Sequence, residues 1–116
     1  MKVAFIGGGN MGEAILSAII SKRVSRADYI AVSDKDENKL AQLKQKYGVT
    51  VTSNNTAAIA DADVVILAIK PQNLAEVMAG LNGRFKPRQL VLSIIAGARI
   101  HTLWMGVGHK QIVRAM

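Results

Sequence analysis

Val3-Ala4-Phe5-Ile6-Gly7-Gly8-Gly9-Asn10-Met11-Gly12 is the stretch on which the fold turns. A short apolar run ends in glycines, as a strand buried on both faces does, and an apolar pattern at helical spacing begins directly after it. Gly7, Gly9 and Gly12 stand at G-x-G-x-x-G spacing. That spacing is informative only between a strand and a helix, which is where it falls here. Gly7 permits the tight turn, Gly9 lets backbone approach a pyrophosphate with no side chain between, and Gly12 lets the helix pack close to the strand. The free amides at the positive end of that helix then meet the phosphates.

Working outward, strands and helices alternate to the end of the chain. Residues 2–6, 29–32, 49–51, 64–69, 90–95 and 112–116 read as strands, with 64–69 the clearest buried run. Residues 11–20 read as a helix with Met11, Ala14, Ile15, Ala18 and Ile19 on the sheet-facing side. Residues 37–47 form a second helix through Leu40, Leu43 and Tyr47, stopped by Gly48. A brief turn of helix around 57–60 is capped by Asn55 or Thr56, and 72–81 and 100–105 supply two more helices. Alternation of this kind forces right-handed crossovers and a parallel sheet. The expected fold is a Rossmann-type doubly wound α/β domain of about six strands, order 3-2-1-4-5-6, with helices on both faces.

The 116 residues make one domain, 50% hydrophobic and 20% charged, with aromatic residues at only 4%. The net charge of +7 is scattered: Lys22 and Arg23 end one helix, Lys44 and Lys46 the next, where they complement the helix dipole. With no stacking platform of aromatics, nucleic-acid binding is not expected. The apolar run 64–69 is far short of the about 18 residues that span a bilayer, so no membrane association is expected. The absence of cysteine excludes a thiolate nucleophile, a disulfide framework and a cysteine zinc site. The chain reads as cytoplasmic.

Candidate site residues cluster where strands end. Asp34 stands about 20 positions after the glycines, where an acidic residue accepts hydrogen bonds from the adenine ribose. Ser33 and Lys35 flank it, and either could hold a 2′-phosphate, so NAD and NADP both remain open. Asp34 could equally cap the following helix. Asn55 lies on the adenine side. Ala68, Ile69, Lys70 and Pro71 end the fourth strand, next to the point where strand order reverses; Lys70 could contact ribose or a substrate carboxylate. Ala96 and Gly97 end the fifth and leave room for a flat ring. No persuasive catalytic acid is found: His101 and His109 read as surface or capping residues, and no metal cluster or Walker lysine is present.

Taken together, Ile6-Gly7-Gly8-Gly9-Asn10-Met11-Gly12, Leu67-Ala68-Ile69-Lys70-Pro71-Gln72, Leu92-Ser93-Ile94-Ile95-Ala96-Gly97 and Ile112-Val113-Arg114-Ala115-Met116 resemble the amino-terminal domain of pyrroline-5-carboxylate reductase. The resemblance runs over the whole chain. It implies an enzyme of proline biosynthesis that reduces a small cyclic imine with NADPH or NADH, a reaction that needs positioning more than a strong protein acid. It implies that Gly7, Gly8, Gly9, Asn10, Met11 and Gly12 hold the pyrophosphate. Ser33, Asp34, Lys35 and Asn55 would hold the adenosine end, and Ala68, Ile69, Lys70, Pro71, Ala96 and Gly97 the nicotinamide end.

Such reductases continue past the methionine into a helical carboxyl-terminal domain that makes the homo-oligomer and completes the substrate site. Residues 1–116 are therefore expected to be a dinucleotide-binding fragment, inactive alone. NADP is favoured by the resemblance, although Asp34 stands where NADPH-preferring relatives often carry a neutral residue. A related imine or β-hydroxyacid reductase is the nearest alternative, and a non-catalytic nucleotide-sensing module is the alternative from another class.

Overall fold

A computed structural model describes residues 1–115. Its strands are β1 (Val3–Ile6), β2 (Ile30–Ser33), β3 (Thr50–Thr52), β4 (Val64–Leu67), β5 (Leu90–Ser93) and β6 (Ile112–Arg114). The helices are α1 (Asn10–Ser21), α2 (Glu37–Tyr47), α3 (Asn55–Ile59), α4 (Leu74–Leu81) and α5 (Ile100–Val107). The six strands form one sheet in the order β3-β2-β1-β4-β5-β6. Every pairing is parallel, with Val3 beside both Ile30 and Val64. This is the Rossmann arrangement expected above.

Alternation along β1 divides the core. Val3 and Phe5 point to the side of α1 and α2, where Leu16, Leu40, Leu43 and Val32 join them. Ala4 and Ile6 point to the side of α3, α4 and α5, against Ile59, Leu81 and Leu103. A central strand covered on both faces has to be apolar at every position, which is why VAFI reads as a continuous run.

The ends of elements depart from expectation for identifiable reasons. β4 stops at Leu67 and β5 at Ser93, both short of the apolar runs that contain them. The pairings end at Ile6 with Leu67 and at Leu67 with Ser93. Tyr29 belongs to a 3-10 turn, Ala27–Tyr29, and β2 starts one residue later than expected, as does β3. Pro71–Asn73 is another 3-10 turn, leaving α4 to begin at Leu74. α5 runs on to Val107, where Gly108 closes it. α3 is capped by Asn54, whose side chain accepts from the Ala57 amide, in place of Asn55 or Thr56. The last expected strand reached to Met116, which lies outside the described residues.

Two burial assignments are corrected. In α1 the residues facing the sheet are Gly12 and Leu16, with Ile15, Ile19 and Ile20 beside them, while Met11 is exposed and Ala14 and Ala18 face outward. The helix is so uniformly apolar that periodicity alone does not choose a face; the close approach at Gly12 does. His109, expected at the surface, is buried: its Nε2–H donates to the Gln89 carbonyl and its ring stacks on Phe85.

Candidate cofactor cleft

The carboxyl ends of β1, β2 and β4 deliver the loops that build the site, at the point where strand order reverses. The glycine loop is shaped by backbone contacts. A Cβ on Gly7 would lie 2.6 Å from the Ala68 carbonyl oxygen, and the residue's φ of +103° is strained for any L side chain. A Cβ on Gly12 would lie 2.8 Å from the Gly7 carbonyl oxygen, so α1 sits on the turn that precedes it. Gly9 differs: its backbone is extended, and a Cβ there would meet nothing within 4 Å. It faces open space.

Around that space the amides of Gly9, Asn10, Met11 and Gly12 have no protein acceptor among the described residues, and α1 has no side-chain cap. α2, by contrast, is capped by Asp36, which accepts from the Asn38 and Lys39 amides. Unpartnered amides at a helix N-terminus, with a glycine holding the approach clear, are the arrangement that binds a phosphate oxygen. The residues present fit a dinucleotide pyrophosphate.

Asp34 has a role that was not expected. Its Oδ2 accepts from the Gly8 amide at 2.7 Å and its Oδ1 from the Asp36 amide at 2.9 Å. It ties the middle of the glycine loop to the end of β2, and the helix cap is Asp36. Ser33, buried below it, donates from Oγ to Asn55 Oδ1. Lys35 reaches across to α4, where Nζ donates to Glu76 Oε2 at 3.0 Å and to Oε1 at 3.1 Å.

Glu13, in the first turn of α1, is held by α2. Its carboxylate accepts from Lys39 Nζ at 2.6 Å, from Tyr47 Oη at 2.8 Å and from Lys46 Nζ at 3.3 Å. The Lys39 ammonium, then the Tyr47 hydroxyl and Lys46, lower the Glu13 pKa to about 2. The cluster fixes α1 against α2.

A cleft of about 270 Å³ gathers Gly7, Gly9, Asp34, Lys35, Asn55, Ala68, Ile69 and Lys70 from the expected set. Gly8 and Ser33 lie beneath the surface, acting through hydrogen bonds. Pro71, Ala96 and Gly97 line a neighbouring concavity with Arg99 and Thr102 at the start of α5. Ile6, Asn73 and Val77 complete the cleft wall. Asn73 and Val77 carry no motif; only the packing of α4 brings them here. Among the described residues no group of three or more His, Cys, Asp or Glu side chains could hold a metal, and no helix is long and apolar enough to cross a membrane.

Fold and cleft define a Rossmann-type α/β domain whose cleft fits a dinucleotide. Residues 2–97 match the family described as NADP oxidoreductase coenzyme F420-dependent, and the chain belongs to that family. It is 34% identical over 117 residues to pyrroline-5-carboxylate reductase 1 of Bacillus spizizenii, covering 99% of this chain and 39% of the relative. The solved pyrroline-5-carboxylate reductase of Coxiella burnetii superposes with a TM-score of 0.84 at 32% identity, over 99% of this chain and 43% of that one. The Plasmodium falciparum pyrroline carboxylate reductase, solved with NADP bound, shares the fold at a TM-score of 0.83 and 23% identity, over 98% of this chain and 41% of its own. The chain thus spans about two fifths of the length of the relatives it matches.

Proposed function

We propose that this chain is the cofactor-binding domain of a pyrroline-5-carboxylate reductase, taking NADP or NAD, with NADP favoured by the family resemblance. The observation that carries the reading is the set of unpartnered amides around the open position at Gly9. The amides of Gly9, Asn10, Met11 and Gly12, at the positive end of α1, hold the pyrophosphate, and Gly7 and Gly8 shape the loop. Ser33, Asp34, Lys35 and Asn55 receive the adenosine end, while Ala68, Ile69, Lys70, Pro71, Ala96 and Gly97 flank the nicotinamide end. When bound, the reduced cofactor supplies the hydride for the carbon–nitrogen double bond of a small cyclic imine.

The residues present bind and orient, and hydride delivery to a protonated imine asks for positioning more than for a strong protein acid. On this reading the rest of the substrate pocket and the contacts of a homo-oligomer come from the further length that the relatives possess. Calorimetric titration with NADPH, NADH and ATP tests the cofactor assignment: tight binding of ATP with neither reduced dinucleotide bound overturns it in favour of a nucleotide sensor. Residues 1–115 are also grafted in place of the matching segment of the Coxiella burnetii reductase. The expected result is a graft that binds cofactor and oxidises it with pyrroline-5-carboxylate; a graft that folds and binds cofactor yet shows no such oxidation refutes the reading of this chain as the cofactor domain of that reductase.

A further inference from the structure

The adenosine end of the cleft holds one cationic side chain, Lys35, the other lysine of the lining being Lys70 beyond β4. The acid beside Lys35 is already engaged, since both oxygens of Asp34 accept from backbone amides. Lys35 itself is shared. Glu76 approaches from the first turn of α4 and takes two hydrogen bonds from its ammonium, at 3.0 and 3.1 Å. The pair bridges two walls of the cleft, and Asn73 and Val77 of the same segment line it. Both side chains are 72% exposed, so the bond is exchangeable.

Two dinucleotides ask different things of this pair. The ribose diol of NAD is uncharged and leaves it intact. A 2′-phosphate, carrying roughly two negative charges, draws Lys35 to itself and leaves the Glu76 carboxylate unpaired close by. We propose that Glu76 is a specificity-determining residue, discriminating against the 2′-phosphate of NADP by withholding Lys35 from it. This rests on the cleft being the dinucleotide site.

The test is fluorescence titration of NADPH and NADH at low ionic strength against the unmodified chain, Glu76→Gln, Lys35→Gln and the double variant. Glu76→Gln is expected to tighten NADPH about two- to fivefold, the range set by an exposed ion pair, and to leave NADH unmoved. In the Lys35→Gln background the same change is expected to lose most of its effect. An equal shift for both dinucleotides, no shift, or an undiminished shift without Lys35 overturns the proposal. Failure of the chain to bind either dinucleotide overturns the cleft assignment and this proposal together. That result is distinct from failure of this proposal alone, in which both dinucleotides still bind.

Discussion

Alanine at Gly9 and alanine at Gly7 separate binding from folding. At Gly9 the backbone lies at φ −71° and ψ −169°, which alanine adopts freely, and the added methyl meets no protein atom within 4 Å. The remaining cost is that of a poorer N-cap residue, about 0.5–1 kcal/mol. The methyl does, however, enter the space that the unpartnered amides face. A hydrogen bond to a charged acceptor contributes about 1.5–3 kcal/mol, so losing one weakens dinucleotide binding by about 10- to 150-fold.

At Gly7 the balance is reversed. A φ of +103° and a Cβ 2.6 Å from the Ala68 carbonyl oxygen force backbone to move, and the expected loss of stability is about 2–4 kcal/mol. Urea unfolding of both variants, with NADPH titrations alongside, measures the two effects. If Gly9→Ala binds NADPH as the unmodified chain does, or is as destabilised as Gly7→Ala, the assignment of Gly9 to the ligand and Gly7 to the turn is wrong.

Glu13→Gln removes the carboxylate that joins α1 to α2, and its side chain is only 22% exposed, so a loss of about 1–2 kcal/mol at neutral pH is expected. The folded pKa is depressed to about 2, so the stabilisation is full above the unfolded value of 4.5 and disappears as pH falls toward 2. The unfolding midpoints of the two proteins should converge over that interval, and a difference that persists at pH 2 contradicts the ion-pair account. Asp34→Ala frees the Gly8 amide, which should then exchange its hydrogen faster by NMR, and should weaken NADH and NADPH alike; unchanged exchange at Gly8 refutes the tether. Leu81→Ala, at a fully buried position between α4 and the sheet, should cost about 2–5 kcal/mol in thermal or urea unfolding with little effect on the glycine loop. A smaller loss would mean that α4 packs loosely.

Much of this protein is written in neighbouring residues. The alternation of apolar runs and helical patterns determined a parallel sheet, because each strand must return over one face of it. The glycine spacing determined where the tight turn and the close helix approach fall, since these are demands that a few consecutive residues satisfy or fail. The helix Glu37–Tyr47, closed by Gly48 in the left-handed region, was legible to the residue for the same reason.

What the tertiary structure alone decided are the partners of charged and polar groups. Asp34 could be read as a ribose ligand or a helix cap; the cap is Asp36, and Asp34 accepts from the Gly8 amide. Lys35 is shared with Glu76, 41 residues away, and His109 is buried against Phe85 and Gln89. Which face α1 turns inward was settled by Gly12 resting on Gly7. A backbone pattern is set by local sterics and solvent exclusion, so it can be read along the chain. The partner of a side chain depends on where the crossovers carry distant helices, and no local pattern records that.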